Sequence, residues 1–179
     1  FCLLTPNRGR DILPFLLALR VIDLSRYSHF LKIHTKRSQH LHDRGRWFHN
    51  CIRLLAGSKA MTDRLFEHID PDRCLIYGPE AASLEDHLEN NRLWLTHLFR
   101  KPPEEVRGMF SPGTMCAGSG TFLRLLKEKN LHLLPAEDER GQLDGCLPHA
   151  LERYFGYFAA ANGGEYAALR TLAERGEPL

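Results

Sequence analysis

Three short stretches of this chain carry residue types that hold or move charge. The first is Lys32-Ile33-His34-Thr35-Lys36-Arg37-Ser38. Alternation along a strand puts Lys32 and His34 on one face and Ile33 on the other. Lysine is costly inside a sheet. Lys32, His34, Lys36 and Arg37 therefore form a cation cluster at a strand end, and a diphosphate is its natural partner. The competing reading is a solvated edge strand running into a basic loop. The second stretch is Asn7-Arg8-Gly9-Arg10-Asp11, placed between an apolar strand and an apolar helix. Its backbone N–H groups, helix N-terminus and two guanidinium groups suit a phosphate. A strand-to-helix turn with a capping Asp11 reads equally from the same residues.

The third stretch is Gly141-Gln142-Leu143-Asp144-Gly145, followed by His149, Glu152 and Arg153. His149 lies three residues before Glu152 and four before Arg153, so both pairs share a helix face. Asp144 stands just ahead of a helix beginning near Pro148, whose dipole favours the carboxylate form. That suits Asp144 as a general base, with Glu152 and His149 in support. The plain alternatives are a helix cap and a surface ion patch. Phe110 to Ala117 is strand-like, and Gly113 within it would let a ligand or another strand come close. His40, His42 and His49 invite a metal reading, but the polar segment around them offers only Asp43 as an acidic partner.

These segments need a scaffold, and the apolar pattern supplies one. Phe1–Thr5 reads as a strand, Ile12–Leu24 as a helix and His29–His34 as a second strand, a βαβ unit that predicts parallel pairing. A polar loop spans Thr35–Arg46. Helices follow over Trp47–Leu55 and Lys59–Ile69, then a strand over Cys74–Tyr77 that ends at Gly78-Pro79. Further helices are expected over Asn91–Phe99, Thr121–Lys129, Pro148–Ala161 and Glu165–Glu174. No internal repeat or linker interrupts the 179 residues, so one domain, 1–179, is expected.

Composition narrows the classes. With 43% hydrophobic residues the chain can bury a core without metal or disulfide. A net charge of +2 is too small for a nucleic-acid coat, so no nucleic-acid partner is expected. The five cysteines lack C-x-x-C spacing, and most of them read as small buried hydrophobes in a reducing, cytoplasmic setting. The longest apolar stretch, Ile12 to Ile22, is broken by Arg20 and falls short of the roughly 20 residues of a membrane span.

Taken in order, these stretches resemble the rhamnan synthesis protein F family. The matching residues are Asn7 to Ile12 with Pro14-Phe15, Leu31 to Ser38, Trp47, Leu54 to Ser58, Gly78-Pro79, Gly113-Thr114-Met115, and Gly141 to Gly145 through His149-Ala150-Leu151-Glu152-Arg153. The resemblance implies a GT-A-like (Rossmann-like) α/β fold: a mostly parallel sheet flanked by helices, here without the first strands. It implies a glycosyltransferase that passes a sugar, L-rhamnose, from a nucleotide donor such as dTDP-L-rhamnose to a growing polysaccharide or lipid-linked acceptor at the inner membrane face. Donor contacts would fall to Asn7, Arg8, Gly9, Arg10, Asp11, Lys32, His34 and Lys36. Acceptor contacts would fall to Gly113, Thr114, Met115 and Gln142. GT-A enzymes usually carry an Asp-x-Asp pair that holds a divalent metal. Here the corresponding strand end reads Lys32-Ile33-His34, so cations are expected to replace the metal and no cofactor is expected, with a divalent metal left as the alternative. A non-catalytic module that binds nucleotide sugar or polysaccharide within a larger synthase is the second reading.

Overall fold

The computed structural model describes residues 2–6, 8–35, 45–86, 88–135 and 144–174. Helix α1 (Ile12–Val21) leads through a short 3-10 turn to strand β1 (His29–Lys32). Helices α2 (Arg46–Ala56) and α3 (Lys59–His68) precede β2 (Leu75–Gly78). A two-residue strand β3 (Ala82–Ser83) and helix α4 (Leu88–Phe99) follow. Next come β4 (Met109–Phe110), β5 (Cys116–Ser119) and α5 (Gly120–Glu128), then the long α6 (Leu147–Ala161), β6 (Glu165–Ala168) and α7 (Leu169–Glu174).

Four strands form the main sheet in the order β1-β5-β2-β6, and β3 pairs with β4 in a small antiparallel ribbon. β5 runs antiparallel to both β1 and β2, while β2 and β6 are parallel. β1, β2 and β6 therefore point the same way and β5 alone is reversed. The expected sheet was mostly parallel, yet two of its three ladders are antiparallel, because β5 inserts between the co-directed β1 and β2. The expected parallel partner of β1, the strand at Phe1–Thr5, is not formed over its described residues 2–5, and Phe1 lies outside the described residues. Residues 2–6 take no regular structure, and Leu4 is 93% exposed.

Side chains alternate across the sheet into two cores. Phe30, Ile76 and Cys116 face α1, α4, α5 and α6, whereas Leu31, Leu75, Tyr77 and Ala117 face α2, α3 and α7. Sheet and helices thus stack in three layers. The helix expected over Glu165–Glu174 begins only at Leu169. Its first four residues pair with β2 in register from Leu75↔Glu165 to Gly78↔Ala168, since an open sheet edge outweighs weak local helix preference. Gly156 lets α6 lie directly on β4, because a Cβ there would meet the Met109 carbonyl oxygen. That contact fixes where the N-terminus of α6 projects. Among the described residues no helix is long and apolar enough to cross a membrane.

Candidate functional site

Because β1, β2 and β6 run one way and β5 the other, the C-terminal ends of the first three and the N-terminal end of β5 meet on one edge of the sheet. Lys32 and His34 close β1, Gly78 closes β2, Gly113 and Thr114 lead into β5, and Arg170 follows β6. The turn before α1 and the N-terminus of α6 reach the same edge.

Lys32 turns inward on the α1 face, 7% exposed, with its ammonium over the Phe15 ring at 5.5 Å. Its Nζ donates to Asp11 Oδ2 at 2.5 Å, to Thr114 Oγ1 at 2.8 Å and to the Thr114 carbonyl at 3.1 Å. An ammonium has three donors, so all are engaged. Thr114 Oγ1 also donates to Asp11 Oδ2. Burial tends to raise the Asp11 pKa, but the charges of Lys32 and His34 and hydrogen bonds from Lys32 and Thr114 outweigh it, leaving Asp11 below its usual range. His34 Nε2 donates to the Gly113 carbonyl at 2.6 Å and lies 3.6 Å from Asp11 Oδ2. Gly113 N–H in turn donates to Glu152 Oε1. Gly113 and Thr114 both have positive φ, +78° and +59°. For β-branched Thr114 this is a strained conformation costing about 1–3 kcal/mol, held by the bonds of its hydroxyl. Next to Lys32, burial pushes the Cys116 thiol up to about 12, so it stays protonated and inert.

The second half of the site is built on the start of α6. Asp144 Oδ1 accepts from Asn91 Nδ2 at 2.8 Å and from Gly145 N–H at 2.9 Å, and its Oδ2 accepts from Arg153 Nη2 at 3.3 Å. Arg153 is itself buried. It donates to the carbonyls of His149 and Asp86 and lies over the Phe110 ring at 4.9 Å. Arg10, from the first turn, places Nη1 2.6 Å from His149 Nε2. A guanidinium only donates, so Nε2 accepts and the His149 proton falls on Nδ1. The other tautomer would let Nδ1 accept from Cys146 N–H at 3.4 Å, a much longer contact. Nδ1–H faces Cys146 Sγ at 3.0 Å and Asp144 Oδ1 at 3.6 Å.

The two halves are joined through the chain itself. Arg10 and Asp11 are adjacent in the turn, and Glu152 and His149 lie one turn apart on α6. Asp11, Lys32, His34, Gly113, Thr114, Asp144, His149 and Glu152 are all drawn together, along with Arg10. Arg8 and Gly9 belong to the same turn, and Met115 is buried in the second core. Asn7, Lys36 and Gln142 lie outside the described residues, as do His40, His42 and Asp43. Charge spacing alone did not point to Asn91, Cys146 or the Arg10–His149 contact. Gly78-Pro79 marks a further part of the edge: Glu80 Oε2 accepts from Trp47 Nε1 at 3.1 Å and its Oε1 meets Arg170 at 3.3 Å. The described residues at the end of β1 do not fit a divalent cation, because the Lys32 ammonium already sits on the Asp11 carboxylate that would have to ligate it.

No family model matches the chain. No solved structure matches it either. It is 32% identical over 171 residues to a protein named uncharacterized protein WxcX in Xanthomonas campestris pv. campestris strain B100, and the same holds for WxcX of a second strain of that pathovar. The match takes in 88% of this chain and 23% of each relative, so the chain spans about a quarter of the length of the relatives it matches.

Proposed function

We propose that this chain is the part of a glycosyltransferase that grips the donor diphosphate and moves the acceptor proton, in a GT-A-like domain that builds rhamnose-containing polysaccharide in the cytoplasm. One observation carries the reading. Segments scattered from the first turn to α6 converge in two hydrogen-bonded clusters, joined through neighbouring residues of the chain, at the edge where three co-directed strands end. In α/β sheets that edge is where ligands bind.

In this reading Arg10, Arg8 and His34 meet the diphosphate of a nucleotide sugar, dTDP-L-rhamnose in the first instance. Lys32 does not reach the ligand but fixes Asp11 and the Gly113-Thr114 turn. The acceptor oxygen attacks the anomeric carbon, its proton passes to His149 Nε2, and the sugar–phosphate bond breaks with its electron pair leaving on the nucleotide diphosphate. Nε2 becomes available when Arg10 turns from it to the phosphate. Asp144 was expected from sequence to be the base. Its two oxygens are taken up by Asn91, Gly145 and Arg153, which better suits holding the His149 Nδ1–H and balancing the imidazolium as it forms. Glu152 holds the Gly113 turn against which the acceptor lies.

The test is transfer by the full-length protein from a panel of nucleotide sugars to a lipid-linked or oligosaccharide acceptor. Formation of a glycosylated product with inverted anomeric configuration supports the proposal, and failure with every donor argues against it. A second reading, a non-catalytic sugar-nucleotide or polysaccharide module, is favoured by the internal saturation of Lys32 and Asp144. Donor binding without turnover in the full-length protein would select it.

A further inference from the structure

The open side of β1 carries an unfinished surface. β1 is an edge strand of the main sheet, and among the described residues no strand lies beyond it. The hydrogen bond from Gly120 N–H to the Ser28 carbonyl, 2.5 Å, extends the β1–β5 ladder by one pair. In an antiparallel ladder bonded and non-bonded pairs alternate. Phe30 and Lys32 therefore bond to Gly118 and Cys116, and the backbone groups of His29, Leu31 and Ile33 point away from the sheet. Exposed edges are ordinarily blunted by an outward lysine, a proline or a bulge. β1 carries no outward lysine, proline or bulge, and only its four-residue length and the inward Lys32 guard it.

Beside this edge lies a groove of about 810 Å³ between α1 and β1, lined by apolar Phe15, Ala18, Ile22 and Phe30 and also by Asp11, Asp23, Arg26 and Lys32. Arg20 is the single charged residue within α1, Ile12–Val21. A helix apolar all round belongs in an interior. Only Ile12, Leu16 and Leu19 of α1 are buried, while Val21 is 58% exposed and Ile33, just past β1, is 50% exposed. Edge, groove and uncovered helix face are continuous.

We infer that an apolar, extended segment from another part of the same, longer polypeptide pairs with the free edge of β1 and fills the groove against α1. The relatives have room for such a segment: the match covers 23% of their length, so about three-quarters of each relative lies outside it. The added strand continues the main sheet beyond β1, and its end beside Lys32 and His34 brings further residues to the edge that holds the candidate site. This pairing is independent of the transfer chemistry above.

The test is hydrogen exchange on the full-length protein, resolved at residues 29–33. The expected result is that Leu31 and Ile33 amides are slowed at least a hundredfold, like those of Phe30 and Lys32, at every protein concentration. Free exchange at Leu31 and Ile33 beside protected Phe30 and Lys32 would overturn the inference. So would protection that appears only as the protein self-associates, which would make a second copy the occupant. Ile33→Pro gives an independent readout, since the Ile33 side chain is half exposed and proline is tolerated only where the missing N–H faces solvent. In the full-length protein it should lower Tm by several degrees, and an unchanged Tm would contradict a paired edge.

Discussion

Lys32 and Arg10 are cations brought to the same sheet edge from opposite ends of α1 and its connection, and they are used differently. Lys32 is buried, with each donor spent on Asp11 or Thr114. Arg10 sits on an exposed turn at φ +54° and reaches a ring nitrogen of His149. The first cation holds two loops together, whereas the second rests on a group whose exposure would matter to chemistry. Similar basic residues a short distance apart in sequence thus differ in burial, and in the proposed mechanism they divide accordingly into scaffold and working parts.

The largest effect should come from breaking the scaffold. Lys32→Ala leaves Asp11 and the Thr114 carbonyl without their donor in a buried setting. It should cost about 3–5 kcal/mol of stability, the usual result of removing one partner of a buried pair, measured by denaturant unfolding. A loss under 1 kcal/mol would place Lys32 with Arg10 instead. Thr114→Val keeps the shape and removes the hydroxyl that bridges Lys32 and Asp11. It should cost about 1–2 kcal/mol in the same assay, with Thr114→Ser close to wild type.

The Asp11 carboxylate gives the pair a pH signature. Its pKa is lowered in the folded protein, so its stabilising contribution is present above the usual carboxylate value and is lost as pH falls through the lowered one. The stability gap between wild type and Asp11→Asn should therefore be full at neutral pH and close below about pH 4. A gap unchanged down to pH 2 would mean that Asp11 is not ionised against Lys32. The smallest effect belongs to Arg10. Arg10→Ala should alter stability by less than about 1 kcal/mol. Long-range ¹H–¹⁵N spectra of the wild type should show His149 protonated at Nδ1, and an Nε2–H tautomer would contradict the contact with Arg10.

Much of the scaffold was legible because its signals are local. The apolar run after Asp11, the Gly57 break between α2 and α3, the Gly78-Pro79 strand end and Pro148 at the start of α6 each act within a few residues. Strand alternation likewise put Lys32 and His34 on one side. What the alternation could not supply was the partner. Thr114 meets Lys32 across 82 positions, and Arg10 meets His149 across 139, contacts decided by how the layers pack. The same limit explains β6, whose strand state depends on β2 offering an edge. It also explains residues 2–6, which lack regular structure despite an apolar sequence suited to a strand.

In the proposed mechanism His149 takes the acceptor proton, with Asp144 behind it. The most direct measurement is turnover and donor affinity of His149→Gln in the full-length protein with its acceptor. Gln keeps an oxygen that can accept from Arg10 and cannot take up a proton. Turnover should fall by about 10²–10⁴ while donor affinity stays within about threefold of wild type. Asp144→Asn should show a smaller fall of the same kind. Near-normal turnover by His149→Gln, with a large loss in Asp144→Asn or Glu152→Gln, would contradict the account and move the base to that carboxylate.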